Sequence, residues 1–169
     1  FSGTADLFVY FYERGVKLLA QSGHLCFITS NKYLRAGYGE ALRRYLAAHT
    51  RIDKLIDFGD APVFDAIAYP SIMLTQRGQP SEGREIKAFV WTPGPSISEF
   101  PERFEKHRFT IPQASLRPDG WQLERKAVVD LLDKLRASGK PLGDYVEGRF
   151  YYGIKTGLNE AFVVDRATR

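Results

Sequence analysis

The spacing of apolar residues changes along the first half of the chain and predicts an alternation of helices and strands. Between residues 7 and 19 apolar side chains recur every three or four positions, and the same helical period returns over residues 39–50. Short, mainly apolar runs occupy residues 24–29, 52–59, 67–76 and 85–91. We expect four strands, the first covered on both faces and the last two paired as a hairpin. This order is typical of an α/β fold and of the second half of a doubly wound sheet.

The chain changes character near residue 92. Residues 92–121 are rich in proline, serine and charge, which predicts a connector with a short helix at 99–106. Residues 123–139 predict an amphipathic helix, and its apolar face carries Val128, Leu131, Leu132 and Leu135. Glycines punctuate residues 141–165, a stretch that otherwise favours strands. The predicted regions are therefore 1–92, 93–140 and 141–169.

Composition limits the class of protein. With 44% hydrophobic residues in 169 positions, the chain can bury one sizeable core. A net charge of +4 and a pI near 9.2 suit a polyanionic partner without demanding one. The single cysteine, Cys26, excludes a disulfide framework and a Cys/His metal centre, and it favours a reducing, cytoplasmic setting. No apolar run approaches the length of a membrane span, so we expect no membrane partner.

A polar and cationic break follows the first predicted strand. Asn31, Lys32, Tyr33 and Arg35 are more than a plain turn requires, and ligands of open α/β sheets bind outside the carboxyl ends of strands. The chain has no glycine-rich dinucleotide motif, no P-loop and no G-x-S-x-G sequence, so catalytic machinery is not visible in it. Arg43 and Arg44 are expected on a solvated helix face, although a role at a phosphate backbone stays open.

Residues 4–76, from "ADLFVYFYERG" through "ITSNKYL" to "APVFDAIAYPSIMLTQ", resemble a known enzyme family. They are similar to the part of N6-adenine-specific DNA methyltransferases that follows the Asn-Pro-Pro-Tyr motif, in type IIG restriction-modification and phage-defence enzymes. "PLGDYVEGRFYYGIKTGLNEAFVVD" resembles the entry to the target-recognition domain of that family. The resemblance implies the C-terminal half of a Rossmann-like methyltransferase sheet, in which the third strand is antiparallel to the first two. It also implies S-adenosylmethionine as cofactor, double-stranded DNA as partner and base flipping.

The resemblance assigns roles to five residues of this chain. Phe11 would lie against the adenine of S-adenosylmethionine, or it is a core aromatic of an amphipathic helix. Asn31 and Lys32 would face the target nucleotide or its phosphate, or they are ordinary turn residues, and Arg35 would meet the phosphate backbone. Phe64 would stack on the flipped adenine, because stacking offsets part of the cost of extruding a base.

Three interpretations follow for the chain. The first is part of an adenine-specific DNA methyltransferase that is inactive alone, since the Asn-Pro-Pro-Tyr motif and the main cofactor motifs are absent from the sequence. The second is a non-catalytic nucleic-acid-binding module, and the third is an interaction domain with a degenerate methylase fold. We also expect weak or no cofactor binding. The apolar edge of the strand at 25–29 should be covered by self-association with a second copy, or by the chain's own C-terminal segment folding back.

Overall fold

The computed structural model describes residues 5–66, 68–151 and 153, and the chain separates into two compact units, Phe1–Val128 and Val129–Arg169. The described elements of the first unit are α1 (Phe8–Leu18), β1 (His24–Ser30), α2 (Glu40–His49), β2 (Thr50–Asp57), β3 (Pro70–Arg77), β4 (Glu85–Val90), α3 (Phe100–His107) and β5 (Phe109–Pro112). Short 3₁₀ turns span Asn31–Leu34, Gly37–Gly39, Ile97–Glu99 and Gln113–Ser115. Helix α4 (Lys126–Ser138) runs across the boundary, and α5 (Leu142–Tyr145) lies in the second unit.

The five strands form one mixed sheet in the order β1-β3-β2-β4-β5. Strand β3 is antiparallel to both of its neighbours, and Met73 pairs with Phe27 of β1 on one side and with Leu55 of β2 on the other. The prediction of a mixed sheet with an antiparallel third strand is therefore confirmed. Because β1 and β2 both run opposite to β3, their carboxyl ends meet at the same edge of the sheet. Pro70 occupies the first position of β3, where a missing backbone donor is tolerated.

The expected hairpin between β3 and β4 is wrong. Strand β4 lies beside β2 and runs parallel to it, with Ile56 opposite Phe89, while β5 closes the sheet antiparallel to β4. Both edges of β3 are already paired, so β4 must add to the free edge of β2. Residues 78–84 therefore carry the chain past β2 rather than making a tight turn.

Apolar side chains cover both faces of the sheet. Helices α1 and α2 pack on one face, and Val9, Tyr12, Leu42 and Leu46 are fully buried there. On the other face α3 places Phe104 against Phe89 of β4. Both hydrophobic clusters and the five strands that they cover belong to the first unit.

Strand β1 differs from its expected environment. Its side chains alternate, with Leu25 and Phe27 packed against the core below α1 and with Cys26 and Ile28 exposed on the other face. The prediction of a strand covered on both faces is therefore wrong. Strand β1 is also an edge strand, and within the described residues no strand pairs with its other side.

The region predicted as a connector contributes to the core. It supplies α3 and β5 as well as Trp121, which is fully buried, so its part up to Val128 belongs to the first unit. Leu131 and Leu135 on the predicted apolar face of α4 are exposed. Residues 142–145 form a helical turn instead of a strand. The rest of the predicted target-recognition segment, residues 154–169, lies outside the described residues.

Candidate functional site

The polar break after β1 is a 3₁₀ turn, Asn31–Leu34. The side chain of Ser30 caps the turn, accepting a hydrogen bond from the backbone N–H of Lys32. Tyr33 and Leu34 are fully buried and anchor the turn in the core, while Lys32 is exposed. The turn thus uses its apolar pair for packing and leaves Asn31 and Lys32 at the carboxyl edge of the sheet.

Arg43 holds this turn from α2, which overturns its predicted place on a solvated face. Its side chain is buried, and its Nη1 donates hydrogen bonds to the carbonyl oxygens of Tyr33 and Ala36, the latter over 2.9 Å. Its Nε donates to the carbonyl of Pro118 over 2.8 Å. Backbone carbonyls in a buried loop need hydrogen-bond donors, and Arg43 provides them. The periodic pattern of apolar residues in α2 gives no sign of this role. Arg44 is exposed and pairs with Glu40, as expected of a solvated residue.

A buried carboxylate stands behind Asn31. Asp57 is the last residue of β2, and its side chain is only 2% exposed. Its Oδ1 accepts hydrogen bonds from the Asn31 side-chain amide over 2.7 Å and from the backbone N–H of Gly59 over 2.9 Å. Its Oδ2 lies 3.7 Å from the guanidinium of Arg35, whose side chain is 69% exposed. Asp57 therefore joins two of the predicted site residues, Asn31 and Arg35.

Phe64 lies on the loop that leaves the carboxyl end of β2 and re-enters the sheet at Pro70. Its ring is 49% exposed, whereas Ala61 and Val63 pack into the core cluster beside α3. The core anchors next to Phe64 hold the loop to the sheet while the ring itself stays half in solvent. This placement agrees with the predicted exposed aromatic.

Phe11 lies on a different element, the outer face of α1. It is 62% exposed and shares that face with exposed Leu7 and Leu18, while Tyr12 and Val16 point into the core. The alternative role of Phe11 as a core aromatic is therefore excluded. An exposed apolar stripe on a helix is a surface that can take an apolar or aromatic partner.

An open groove of about 700 Å³ lies away from these residues, on the sheet face that includes His24 and Asp53. In it, Asp53 pairs with Arg84 and lies 3.8 Å from His24. None of the predicted site residues lines it.

Comparison with known proteins gives this arrangement a context. The family described as Eco57I restriction-modification methylase matches residues 1–64, which include α1, β1, β2 and the start of the Phe64 loop. Over that stretch the chain belongs to the restriction-modification methylases.

Relatives extend the match over nearly the whole chain. It is 26% identical over 165 residues to the type II restriction enzyme and methyltransferase RM.Eco57I of Escherichia coli, covering 94% of this chain and 16% of that protein. It is 35% identical over 171 residues to the type II methyltransferase M.PaeR7I of Pseudomonas aeruginosa, covering 95% of this chain and 29% of that protein. The chain thus spans well under half the length of these relatives.

A solved structure supports the fold. A chain from the type I R-M system aligns with a TM-score of 0.54 at 14% identity, covering 82% of this chain and 38% of that chain. At this identity the likeness shows a shared fold alone.

The methylase segment contains no cluster of three His, Cys, Asp or Glu side chains suited to a metal ion within residues 5–66, 68–151 and 153. No helix found in that part of the chain is long and apolar enough to cross a membrane.

Sequence reasoning missed Asp57 as a site residue. The available signal was its position: an acidic residue that ends a strand running in the same direction as β1, two residues before a glycine. It also missed Tyr69, an exposed non-glycine residue with a φ of 45° directly before Pro70. Such backbone conformations cost energy and concentrate at functional sites.

Proposed function

We propose that this chain forms the second half of the catalytic domain of an N6-adenine-specific DNA methyltransferase of a restriction-modification system. One observation carries the proposal: the exposed ring of Phe64 is on a loop that starts at the carboxyl end of β2, and the far end of that loop is bonded to Asn31 at the carboxyl end of β1. An aromatic platform and a polar turn thus share one edge of the sheet. The site of an enzyme that reads an extruded base needs this combination.

Stacking explains what Phe64 contributes. Methylation of an amino group inside a duplex requires the base to leave the stack, at a cost of a few kcal/mol. An aromatic ring recovers roughly 1–3 kcal/mol of that cost by stacking on the base. The ring has to be exposed before the base arrives, as the Phe64 ring is.

Lys32 and Arg35 suit the phosphate backbone of the target strand. Both side chains are exposed and lie on either side of the buried Tyr33 and Leu34. Among the residues that the structure describes, the Arg35 guanidinium contacts Asp57 alone, over 3.7 Å, so most of its donors remain available to phosphate oxygens. Phosphate contacts of this kind fix the position of DNA without reading its sequence.

S-adenosylmethionine would supply the methyl group. The chain offers one element toward it, the exposed Phe11 ring on α1, which suits one face of an adenine. The glycine-containing cofactor motif, the acidic residue for the ribose and the Asn-Pro-Pro-Tyr motif are absent from the sequence. We therefore expect the chain alone to bind the cofactor weakly or not at all and to transfer no methyl groups.

The free edge of β1 is a surface on which another strand can pair. In the longer polypeptide that this proposal requires, the strand leading into Asn-Pro-Pro-Tyr would pair there. In the isolated chain we propose that a second copy covers the same edge.

The experiment is product analysis by mass spectrometry. The longer polypeptide, incubated with duplex DNA and S-adenosylmethionine, should yield N6-methyladenine, and the 169-residue chain should yield none. A methylated cytosine as the only product would refute adenine specificity. Activity of the 169-residue chain by itself would refute the division of roles.

A further inference from the structure

Asp57 has more partners than the end of a strand requires. Its backbone carbonyl accepts a hydrogen bond from Trp91, which extends the β2–β4 ladder, and its side chain turns toward the loop edge. Its Oδ1 accepts two hydrogen bonds there, from Asn31 and Gly59, and its Oδ2 lies 3.7 Å from the guanidinium of Arg35 in an ion pair. Burying a carboxylate costs free energy unless hydrogen-bond donors or cations lie next to it. The position of Asp57 is therefore coupled to the positions of the groups that contact it.

The Asp57–Asn31 pair grips both ends of the Phe64 loop. At the start of the loop, the N–H of Gly59 donates to Asp57, and Gly59 has a φ of 58° that places its N–H toward the carboxylate. At the end of the loop, the backbone N–H of Asn31 donates to the carbonyl of Tyr69 over 2.7 Å. The side-chain bond between Asn31 and Asp57 closes this ring of contacts.

The same bond orients the Asn31 amide. Because Nδ2 donates to Asp57, the amide oxygen Oδ1 is the end of the group left for another partner, and within the described residues it has none. An amide oxygen accepts hydrogen bonds and therefore favours an N–H donor over a phosphate oxygen. Asn31 so oriented suits the edge of a base better than the backbone of DNA.

We propose that Asp57 is a positioning residue that sets the spacing between the Asn31–Leu34 turn and the Phe64 loop and presents the Asn31 amide oxygen to the flipped nucleotide. Its role toward DNA rests on the proposed function. Phe64 would then hold the face of the base while Asn31 contacts its edge. The phosphate contacts fall to Lys32 and Arg35.

The first test uses the 169-residue chain without DNA. Hydrogen exchange measured by NMR should show the N–H groups of Asn31 and Gly59 accelerated about tenfold or more in Asp57→Ala, relative to Met73 in the sheet core. Asp57→Asn retains an acceptor for both donors and should stay near wild type. Asp60→Ala is the matched control, since Asp60 is an exposed carboxylate in the same loop.

Two results would overturn the coupling. One is acceleration at Gly59 alone, with Asn31 still protected. The other is equal acceleration in Asp57→Ala and Asp60→Ala. If Asp57→Ala does not fold, Asn31→Ala removes the same bond from the half-buried side, and retained protection of the residue-31 N–H would then contradict the proposal.

The second test uses the longer polypeptide and a DNA duplex that carries 2-aminopurine in place of the adenine that the enzyme methylates. Asp57→Ala should weaken binding about tenfold and reduce the stacking-dependent fluorescence change, while Asp57→Asn and Asp60→Ala should remain within about twofold. Unchanged binding and fluorescence in Asp57→Ala would overturn its positioning role. A wild-type chain that binds no DNA would instead count against the proposed function, and the exchange result would still decide the coupling.

Discussion

The guanidinium of Arg43 donates a hydrogen bond to the backbone carbonyl of Tyr33 over 2.5 Å, and this contact ties helix α2 to the turn that carries the candidate site. Two further donors of Arg43 reach the carbonyls of Ala36 and Pro118. Desolvation lowers the pKa of the Arg43 guanidinium, as expected for a cation held among neutral carbonyls. The turn is therefore held by a buried arginine whose guanidinium donates to backbone carbonyls of the chain itself.

Substitution of Arg43 should destabilise the fold strongly. Arg43→Lys keeps the charge but cannot reach three carbonyls with one ammonium group, so buried acceptors lose their partners at about 1–3 kcal/mol each. We expect the free energy of unfolding to fall by about 3 kcal/mol in urea denaturation. Arg44→Gln is the control, because its exposed pair with Glu40 contributes no more than about 0.5 kcal/mol. Equal losses for the two variants would contradict the clamp.

Gly39 faces the same clamp and should not tolerate a side chain. A Cβ there would lie 2.6 Å from the Tyr33 carbonyl oxygen and 2.8 Å from the Arg43 guanidinium, both too close for atoms in contact. Gly39→Ala should therefore lower the free energy of unfolding by about 1–3 kcal/mol. Gly37→Ala, where a Cβ would meet nothing within 4 Å, should change it little. Thermal denaturation of the two variants checks the difference.

Phe64→Ala should separate binding from folding. The ring is half exposed, so the variant should lose little stability. In the longer polypeptide, methylation of a paired adenine should fall more than methylation of a mispaired one, because a mispair lowers the cost of flipping. Steady-state kinetics on the two substrates measure the ratio. Equal losses on both substrates would exclude a stacking role.

The elements of this fold could be predicted from sequence better than their partners could. Residues 85–91 have the apolar pattern of a strand, but this pattern does not show which strand β4 pairs with. Strand β4 pairs with β2 because β1 and β2 already occupy both edges of β3. Arg43 shows the same limit. Its position on α2 is compatible with solvent, and its burial follows only from loop carbonyls that converge on it from distant residues.

The location of the candidate site could be predicted from sequence, whereas the contacts that hold the site together could not. The break at Asn31 and the exposed aromatic Phe64 follow from turn chemistry at the ends of two strands and from the family resemblance. Asp57, which joins them, ends an apolar strand and carries no motif of its own. Its role becomes visible once β1 and β2 end side by side around β3.

The hydroxyl of Tyr33 predicts a pH dependence of stability. It is fully buried, and desolvation raises the pKa of Tyr33 well above its ordinary value. A raised pKa in the folded state gives stability that is complete below the unfolded-state pKa of about 10 and is lost as the pH rises above it.

Tyr33→Phe should remove this alkaline loss. The melting temperature of the variant should fall less than that of wild type between pH 8 and pH 10.5, since only the wild type has to keep the Tyr33 hydroxyl protonated. Tyr151→Phe, at an exposed tyrosine, is the control and should follow wild type. A parallel decline of Tyr33→Phe and wild type would refute the assignment.

The open edge of β1 leads to a prediction about assembly. Within residues 5–66, 68–151 and 153, strand β1 pairs on one side only, and Cys26 and Ile28 are exposed on its outer face. No lysine or proline lies between His24 and Ser30 to discourage pairing. The isolated chain should therefore associate with a second copy as its concentration rises. Sedimentation velocity over a concentration series measures this directly.

Ile28→Lys places a charge on the exposed face of the edge strand and should shift the chain toward monomer, whereas Leu131→Lys, on exposed α4, should not. A chain that stays monomeric at the highest concentration, or an Ile28→Lys variant that associates as wild type does, would exclude the β1 edge as the interface.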